Sequence, residues 1–395
     1  MNKVKRIRLF LILVSAATLL FFPAKAERVN VEKAEKIVRA YARTTPRLTA
    51  RRDFQLSRTV SKHLSRNRSG LRSAMQSTVQ QEEPLYYVFT MNGDGGFIIV
   101  SGDDVAKPVL GYSDEGTYDE SNPNLAYWMS TLEQEITDAI ENGVAQDAET
   151  EAAWDALDSN DNMVTMASDD YVEPLVKTKW NQGAPYNNSC PAVSYTPTYT
   201  GCVATTMAQI MKYHGHPTTR TATIPAYTTR SESISIPAIT GTTTYAWNNM
   251  TNTYTLSATG TSADAVATLM YHCGVSVEMD YNTNESGAYS SDVVNALKNY
   301  FGYDAGITYH DRNYYTYTQW INLLKTEIMA SRPVYYAGVS SNAGHAFVCD
   351  GYDADDLFHF NWGWGGSSDG YFEISALNPG SIGIGGGSGG YNEYQ

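Results

Sequence analysis

One cysteine-bearing stretch, residues 201–214, constrains the chain more than any other. Gly201 precedes Cys202, and the apolar residues after the cysteine recur at helical spacing. Gly215 and Pro217 end the helix that this spacing predicts. Cys202 is therefore predicted at a helix N-terminus, where free N–H groups and the helix dipole favour negative charge and acidify a thiol. A small cysteine that only packs in a core fits the same pattern. The stretch alone leaves both interpretations open.

The first 26 residues have the three parts of a secretory signal peptide. Basic residues come first, an apolar run from Leu9 to Phe22 follows, and Ala24-Lys25-Ala26 forms a cleavage site. The run is too short to span a membrane, and no cysteine that could carry a lipid follows it. We therefore expect an exported, extracellular protein without a stable membrane anchor, whose processed chain starts at Glu27.

The charge distribution excludes one class of partner. The chain of 395 residues has a formal net charge of −14, and the part after Asp169 is acidic. Binding to nucleic acid needs clustered Lys and Arg, so we expect no nucleic-acid partner. The basic stretch from Arg28 to Arg72 is interpreted as a solvated loop of a removable segment rather than as an arm that binds RNA.

The cysteines do not predict a disulfide scaffold or a metal site. Four cysteines in a chain of this length are too sparse for such a scaffold. Cys273 lies in an apolar helical run and Cys349 in an apolar strand, which is typical of buried free thiols. No C-x-x-C pair occurs, so we expect neither structural zinc nor another cofactor.

The chain divides into two predicted units after the signal peptide. Residues 27–168 are expected to form a small α+β unit with its own core: helices at 29–43 and 123–142, and strands at 85–90, 97–101 and 108–113. The Arg- and Ser-rich stretch 44–83 is predicted to be an exposed loop. The acidic stretch 145–170 is predicted to be a linker that a protease can cut.

The second unit, residues 169–395, is also predicted to be α+β. Four helices come first and four strands come last, without the alternation of a parallel sheet. The helices are predicted at 202–214, 262–274, 290–301 and 318–331, and the strands at 334–339, 345–352, 357–362 and 371–374. Irregular loops with short strands are predicted for 194–261.

A nucleophilic cysteine needs a base within hydrogen-bond reach. Of the seven histidines, His345 is the candidate, because it begins an apolar strand directly after Gly344. Its separation from Cys202 falls within the roughly 130–150 residues found between nucleophile and base in papain-like enzymes. A histidine at a strand start is usually structural, but the combination with a cysteine at a helix start favours catalysis.

Three more side chains are candidates for the same site. Gln182 lies twenty residues before Cys202 and could donate its amide to an oxyanion, with the Cys202 N–H as second donor. Asn361 could accept the second N–H of the imidazole, and Trp362 could shield that bond from water.

The stretches 180–188, 200–217, 344–352 and 360–366 together resemble the streptopain family of secreted bacterial cysteine proteases, and residues 96–112 resemble its propeptide. The resemblance implies a papain-like catalytic domain made as a zymogen. Its propeptide would inhibit the enzyme until removal. Protein or peptide substrates would be cleaved through a thioester acyl-enzyme, in the setting of virulence. Cys202 matches the nucleophile, His345 the base and Gln182 the oxyanion glutamine, while Asn361 and Trp362 lie on the segment that supports the histidine.

Because relatives continue into a final strand, we expect the sequence to be truncated at Gln395.

Two other function classes stay open at this point. A transglutaminase-like or cell-wall-peptidase-like enzyme would use an acidic third residue, for which Asp350 or Asp353 could be proposed. Asp350 lies five residues after His345 in one strand, which predicts side chains on opposite faces. The other class is an exported adhesin whose Tyr- and Thr-rich surface binds glycans.

Overall fold

The structure is a computed structural model that describes residues 26–50, 53–64, 81–91, 93, 95–159, 170–339 and 344–377. Nearly all of the proposed signal peptide and residues 160–169 of the proposed linker lie outside the described residues. No helix within these ranges combines the length and apolar character that a membrane span requires. The described chain falls into an N-terminal segment, residues 26–159, and a C-terminal segment, residues 170–377.

The N-terminal segment contains three helices and four strands: α1 (Val31–Thr44), β1 (Phe54–Leu64), β2 (Gln81–Met91), β3 (Phe97–Ser101), β4 (Val109–Ser113), α2 (Pro123–Asn142) and α3 (Ala148–Asp158). Helix α2 begins and ends as its sequence predicts. The side chain of Asn122 caps its first N–H groups, Pro123 occupies its first turn, and Gly143 ends it in the left-handed conformation.

Two predictions for this segment are wrong. The expected loop 44–83 contains β1, which pairs with β2 along its whole length. Most of β1 is exposed, so it lacks the apolar alternation that marks a strand. The expected linker contains α3, an acidic helix in which only Thr150 and Trp154 are buried. The indole N–H of Trp154 donates to the Ala106 carbonyl at 2.8 Å, which fixes the helix to the segment.

The C-terminal segment has its helices before its long strands, as predicted. The helices are α4 (Cys202–His214), α5 (Thr261–Ser276), α6 (Asp292–Phe301) and α7 (Tyr317–Met329), and the strands that follow are β11 (Val334–Val339), β12 (Gly344–Tyr352), β13 (Phe358–Asn361) and β14 (Gly370–Phe372). Six two-residue strands are also present. Two of them precede α4, β5 (Ala192–Val193) and β6 (Thr196–Pro197), and four lie between α4 and α5, β7 (Thr219–Arg220), β8 (Tyr227–Thr228), β9 (Ser235–Ile236) and β10 (Thr243–Thr244).

One antiparallel sheet of eight strands runs through both segments, in the order β1-β2-β3-β4-β14-β13-β12-β11. The segments join where β4 pairs with β14, with Tyr112 opposite Tyr371 and Gly111 opposite Phe372. Gly111 is required there, because a Cβ atom would lie 2.6 Å from the Phe372 ring.

The largest apolar core is also shared between the segments, whereas a second core consists of residues of the N-terminal segment with only Leu357 and Tyr371 added from the C-terminal one. Helix α2 contributes Trp128, whose ring contacts Phe360 of β13 at 4.8 Å and Phe347 of β12 at 5.8 Å between centroids. The Trp128 indole N–H donates to the Glu373 carbonyl at 3.1 Å. The sheet and this core therefore place α2 beside the start of β12, which carries His345.

Candidate active site

Cys202 is the first residue of α4, as the sequence predicts. Gly201 before it has φ +85°, a conformation that favours glycine. A Cβ atom there would lie 2.6 Å from the Met279 sulfur and 2.8 Å from the Ser286 carbonyl oxygen. Glycine therefore lets the chain turn into the helix while packed against these two residues.

The thiol of Cys202 is not acidified in this structure. Burial raises its pKa and is the largest influence, although backbone N–H groups, led by that of Ala346, oppose it by hydrogen bonding to the sulfur. The helix N-terminus therefore acts on the sulfur as predicted, but the partial burial of Cys202 outweighs it.

The imidazole of His345 is also held in its neutral form. His345 is the second residue of β12, lies opposite Gly338 of β11, and is buried. Burial lowers its pKa, because charging a buried imidazole is unfavourable. Within the described ranges, no hydrogen bond joins the Cys202 sulfur to this ring. The sulfur accepts from the N–H of Ala346, the residue after His345, and burial favours the neutral form of both the thiol and the imidazole.

Two side chains of α2 occupy the immediate surroundings of His345. The Tyr127 ring lies 5.5 Å from the imidazole between centroids and packs directly on the backbone of Gly338. The Asn124 amide donates to the Ala346 carbonyl at 3.1 Å and to the Trp362 carbonyl at 2.7 Å. Reasoning from sequence missed both residues, since one buried asparagine in an amphipathic helix gives no signal of its own.

Gln182 is buried and tied to the backbone that leads into Cys202. Its carbonyl oxygen accepts from the Thr200 N–H at 3.1 Å, and its own N–H donates to the Asn181 side chain at 2.7 Å. The loop that carries the proposed oxyanion amide is therefore held two residues before the cysteine.

The side-chain amide of Asn361 is engaged away from His345. Its oxygen accepts from the Gln209 amide at 3.0 Å and from the Gly363 N–H at 3.1 Å, while its nitrogen donates to the Thr178 carbonyl at 2.6 Å. These bonds link the end of β13 to helix α4, and Gln209 was not among the sequence candidates.

Trp362 is fully buried and fixed at both ends. Its backbone N–H donates to the Asp369 carboxylate at 2.9 Å, and its indole N–H donates to the Ser368 carbonyl at 2.8 Å. Its ring packs on Phe347 at 4.8 Å between centroids. Its carbonyl oxygen points to α2 and accepts a hydrogen bond from the Asn124 amide.

The two aspartates considered as an acidic third residue have other partners. Asp350 accepts from the His359 ring at 2.6 Å and from the Val176 N–H at 2.7 Å. Asp353 accepts from the Tyr112 hydroxyl at 2.9 Å. Neither forms a hydrogen bond to His345 in the part of the chain that the structure describes.

All four cysteines are free, and the prediction of buried free thiols at Cys273 and Cys349 is confirmed. Cys273 lies against the Met211 sulfur at 3.6 Å. The residues that the structure describes contain no group of three or more potential metal ligands.

Comparison with protein families gives two matches along the chain. Residues 180–372 match the Peptidase C10 family, and residues 26–136 match the Spi protease inhibitor family. The first match contains all five sequence-predicted site residues. The second contains Asn124 and Tyr127.

Comparison with individual proteins agrees with the family matches. Streptopain of Streptococcus pyogenes is 36% identical over 329 residues, which cover 78% of each chain. Thiol protease/hemagglutinin PrtT of Porphyromonas gingivalis is 35% identical over 323 residues, 80% of this chain and 37% of that protein. A solved fragment of Prevotella intermedia prointerpain A superposes with a TM-score of 0.63 at 32% identity, and the superposition covers 85% of this chain and 97% of that one.

Proposed function

Because the chain belongs to the peptidase C10 family and is a papain-like cysteine peptidase made as a zymogen, we propose that Cys202 is its nucleophile and His345 its general base. The observation that supports this most directly is the position of Cys202 at the start of α4, with its sulfur against the Ala346 N–H and hence beside His345. The propeptide is proposed to span residues 27–168 and the catalytic domain residues 169–395.

The proposed reaction proceeds through an acyl-enzyme. His345 takes the proton of Cys202, and the sulfur attacks the carbonyl carbon of the scissile peptide bond. As the bond to nitrogen breaks, the imidazolium returns the proton to the leaving amine, and a thioester remains. Water, deprotonated by His345, hydrolyses the thioester and restores the thiol. The Gln182 amide and the Cys202 N–H would donate to the oxyanion in both steps.

Inhibition by the propeptide is proposed to act on the base itself. With α2 in place, Tyr127 covers the imidazole and Asn124 uses the Trp362 carbonyl. Once α2 leaves, that carbonyl becomes available to accept an N–H from His345 and orient the ring toward the sulfur. Asn361 would then act as a positioning residue, because its amide holds the end of β13 to α4.

Export is proposed from the signal-like residues 1–26, and the substrates are proposed to be proteins or peptides outside the cell. A role in virulence stays a prediction from the family resemblance. Removal of the propeptide is proposed to follow cleavage near residues 167–171.

Labelling with an epoxide inhibitor of cysteine proteases tests the proposal. Precursor and matured protein are treated with the reagent, digested and analysed by mass spectrometry, while casein hydrolysis is followed in parallel. We expect label on Cys202 alone, in the matured form, with loss of activity in proportion to labelling. The buried Cys273 and Cys349 serve as internal controls. Full casein hydrolysis by a protein labelled on Cys202 would overturn the assignment, and the same spectra locate the maturation site.

A further inference from the structure

A short loop closes beside the nucleophile. Asp280 and Gly287 exchange backbone hydrogen bonds across its base, with the Asp280 N–H donating at 2.8 Å. Inside it, the Ser286 hydroxyl accepts from the Asn282 N–H at 2.9 Å. We call residues 280–287 the acidic loop, after Glu285 near its tip.

The acidic loop is fixed to the backbone that leads into Cys202. The Tyr199 N–H donates to the Asn282 carbonyl at 3.1 Å. The Ser286 carbonyl approaches Gly201 so closely that a Cβ atom there would lie 2.8 Å away. Glu285 is the direct neighbour of Ser286, so its position relative to the sulfur is set by these contacts.

The carboxylate of Glu285 is exposed and close enough to both reacting groups for its charge to act on each of them. Its negative charge raises the pKa of the Cys202 thiol, in addition to the larger effect of burial, which also raises it. The same charge raises the pKa of the His345 imidazole, against the larger effect of burial, which lowers it. Glu285 forms no ion pair within the described ranges. The side chains of α2 next to His345, Asn124 and Tyr127, are uncharged.

A carboxylate at this place has a cost for the reaction, because it disfavours the thiolate. A bound peptide brings its own side chains into the same space, and a lysine or arginine there would offset the charge. Opposite charges a few ångströms apart near a protein surface attract each other, so a peptide that places a cation beside Glu285 would be favoured over a neutral one. An ordinary solvated glutamate, in contrast, would leave substrate choice unchanged.

We propose that Glu285 selects substrates that carry lysine or arginine next to the scissile bond. The inference rests on the proposed function, because it takes the cleft beside Cys202 and His345 as the place where the peptide binds. It adds a specificity-determining residue on a loop that the motifs of the catalytic stretches do not include.

The test uses two series of fluorogenic peptides, one varied at the residue just before the scissile bond and one varied at the residue just after it. In each series the varied residue is arginine, leucine or glutamate. The matured enzyme should prefer arginine over leucine about tenfold in kcat/KM at one of these positions. Glu285→Gln should abolish the preference through a loss on the arginine peptide, while kcat/KM for the leucine peptide should not fall, because the charge that disfavours the thiolate is gone. Glu285→Lys should favour the glutamate peptide. The preference should also shrink as salt is raised.

Glu278→Gln is the matched control, because it removes the same charge at an exposed position just before the loop. It should keep the arginine preference. In Glu285→Gln, both limbs of the pH profile of kcat/KM should move to lower pH.

Equal turnover of the arginine and leucine peptides by the unmodified enzyme would overturn the proposal and leave the proposed function intact. Parallel loss of activity on all peptides in Glu285→Gln would make the residue structural and also overturn it. The absence of turnover of every peptide, together with an unlabelled Cys202, would instead contradict the proposed function.

Discussion

The ring of Tyr127 lies against the imidazole of His345, with 5.5 Å between the ring centroids. One partner belongs to the propeptide and the other is the proposed base. Three residues before Tyr127, Asn124 donates to the Ala346 carbonyl on the histidine strand β12 and to the Trp362 carbonyl at the end of the neighbouring strand β13. The propeptide therefore engages the surroundings of the base, in addition to sharing a sheet and a core with the catalytic domain.

Loss of these contacts should weaken inhibition. We expect Tyr127→Ala and Asn124→Ala precursors to mature several-fold faster than the unmodified precursor, because the imidazole and the Trp362 carbonyl become free. Ser130→Ala, on the exposed side of the same helix, is the control. Gel analysis of the time course measures the rate. Unchanged maturation in both variants would show that the shared sheet and core suffice for inhibition.

Cys202→Ala should abolish peptidase activity and let the full precursor accumulate with its fold intact, since alanine replaces the sulfur without a clash. His345→Ala should be nearly as damaging, and the double variant should be no worse than either, because nucleophile and base act as a unit. Casein hydrolysis and circular dichroism are the measurements. Substantial turnover by Cys202→Ala would remove this residue from the mechanism.

Gln182→Ala should lower kcat by about 10²–10³ with little change in KM, as expected for one lost oxyanion donor. Gln182→Glu keeps the size of the side chain and removes the donor, so it should be similarly impaired. Steady-state kinetics on one peptide substrate separates the two constants. A change in KM alone would make Gln182 a structural residue of the loop before Cys202.

The propeptide should bind more weakly as pH rises. Asp353 is buried against Tyr112 of the propeptide, and burial, aided by the nearby Asp355, raises its pKa to about 7. Once the propeptide leaves, the carboxyl should return toward its ordinary range. Binding therefore takes up a proton between these values, so affinity is greatest at low pH and falls by up to about tenfold per unit as pH approaches 7.

Inhibition of matured enzyme by added segment 27–168, measured at several pH values with a fluorogenic peptide, checks this expectation. Asp353→Asn keeps an acceptor for the Tyr112 hydroxyl but cannot titrate, so its inhibition constant should vary less with pH. An identical slope in both proteins would assign the proton to another interface group, such as Glu373 beside Lys107. Absence of inhibition at micromolar segment would contradict an inhibitory propeptide.

Gly201→Ala should destabilise the protein by about 2 kcal/mol or more, because it combines a positive φ with a clash against Met279 and Ser286. Gly302→Ala is the matched control, since its φ is +68° but a Cβ atom there meets nothing within 4 Å. It should show the conformational cost alone. Urea unfolding of both variants in a Cys202→Ala background measures the difference. Equal losses would mean that the packing around Gly201 yields easily.

The sequence predicts those parts of the fold in which local chemistry decides the structure. Helix α2 begins at Asn122-Pro123 and ends at Gly143 because capping and left-handed glycine are local effects. Strand β1 was missed, since its side chains are mostly exposed and its pairing partner β2 determines its conformation. The continuity of the sheet through Tyr112 and Tyr371 is a long-range pairing that no local pattern encodes.

The same distinction applies to the site. The elements that carry Cys202 and His345 could be predicted because each begins where a glycine is followed by a periodic apolar run. The pKa of the thiol could not, because it depends on how completely the folded chain buries the sulfur. The places of Asn124 and Tyr127 could not be predicted either, because they depend on the packing of α2 on β12.

The pairing of β4 with β14 has a consequence for the enzyme after maturation. While the propeptide is bound, the outer strands β1 and β11 flank the sheet, and β14 lies in its interior. Departure of the propeptide turns β14 into an edge with unpaired N–H and C=O groups, a place where another extended chain can add by main-chain hydrogen bonds. This new edge spans only Gly370–Phe372, so it offers few such bonds to an aggregating neighbour. The propeptide occupies this edge with β4, which at five residues is longer than the three of β14, and with the apolar contacts of the shared core.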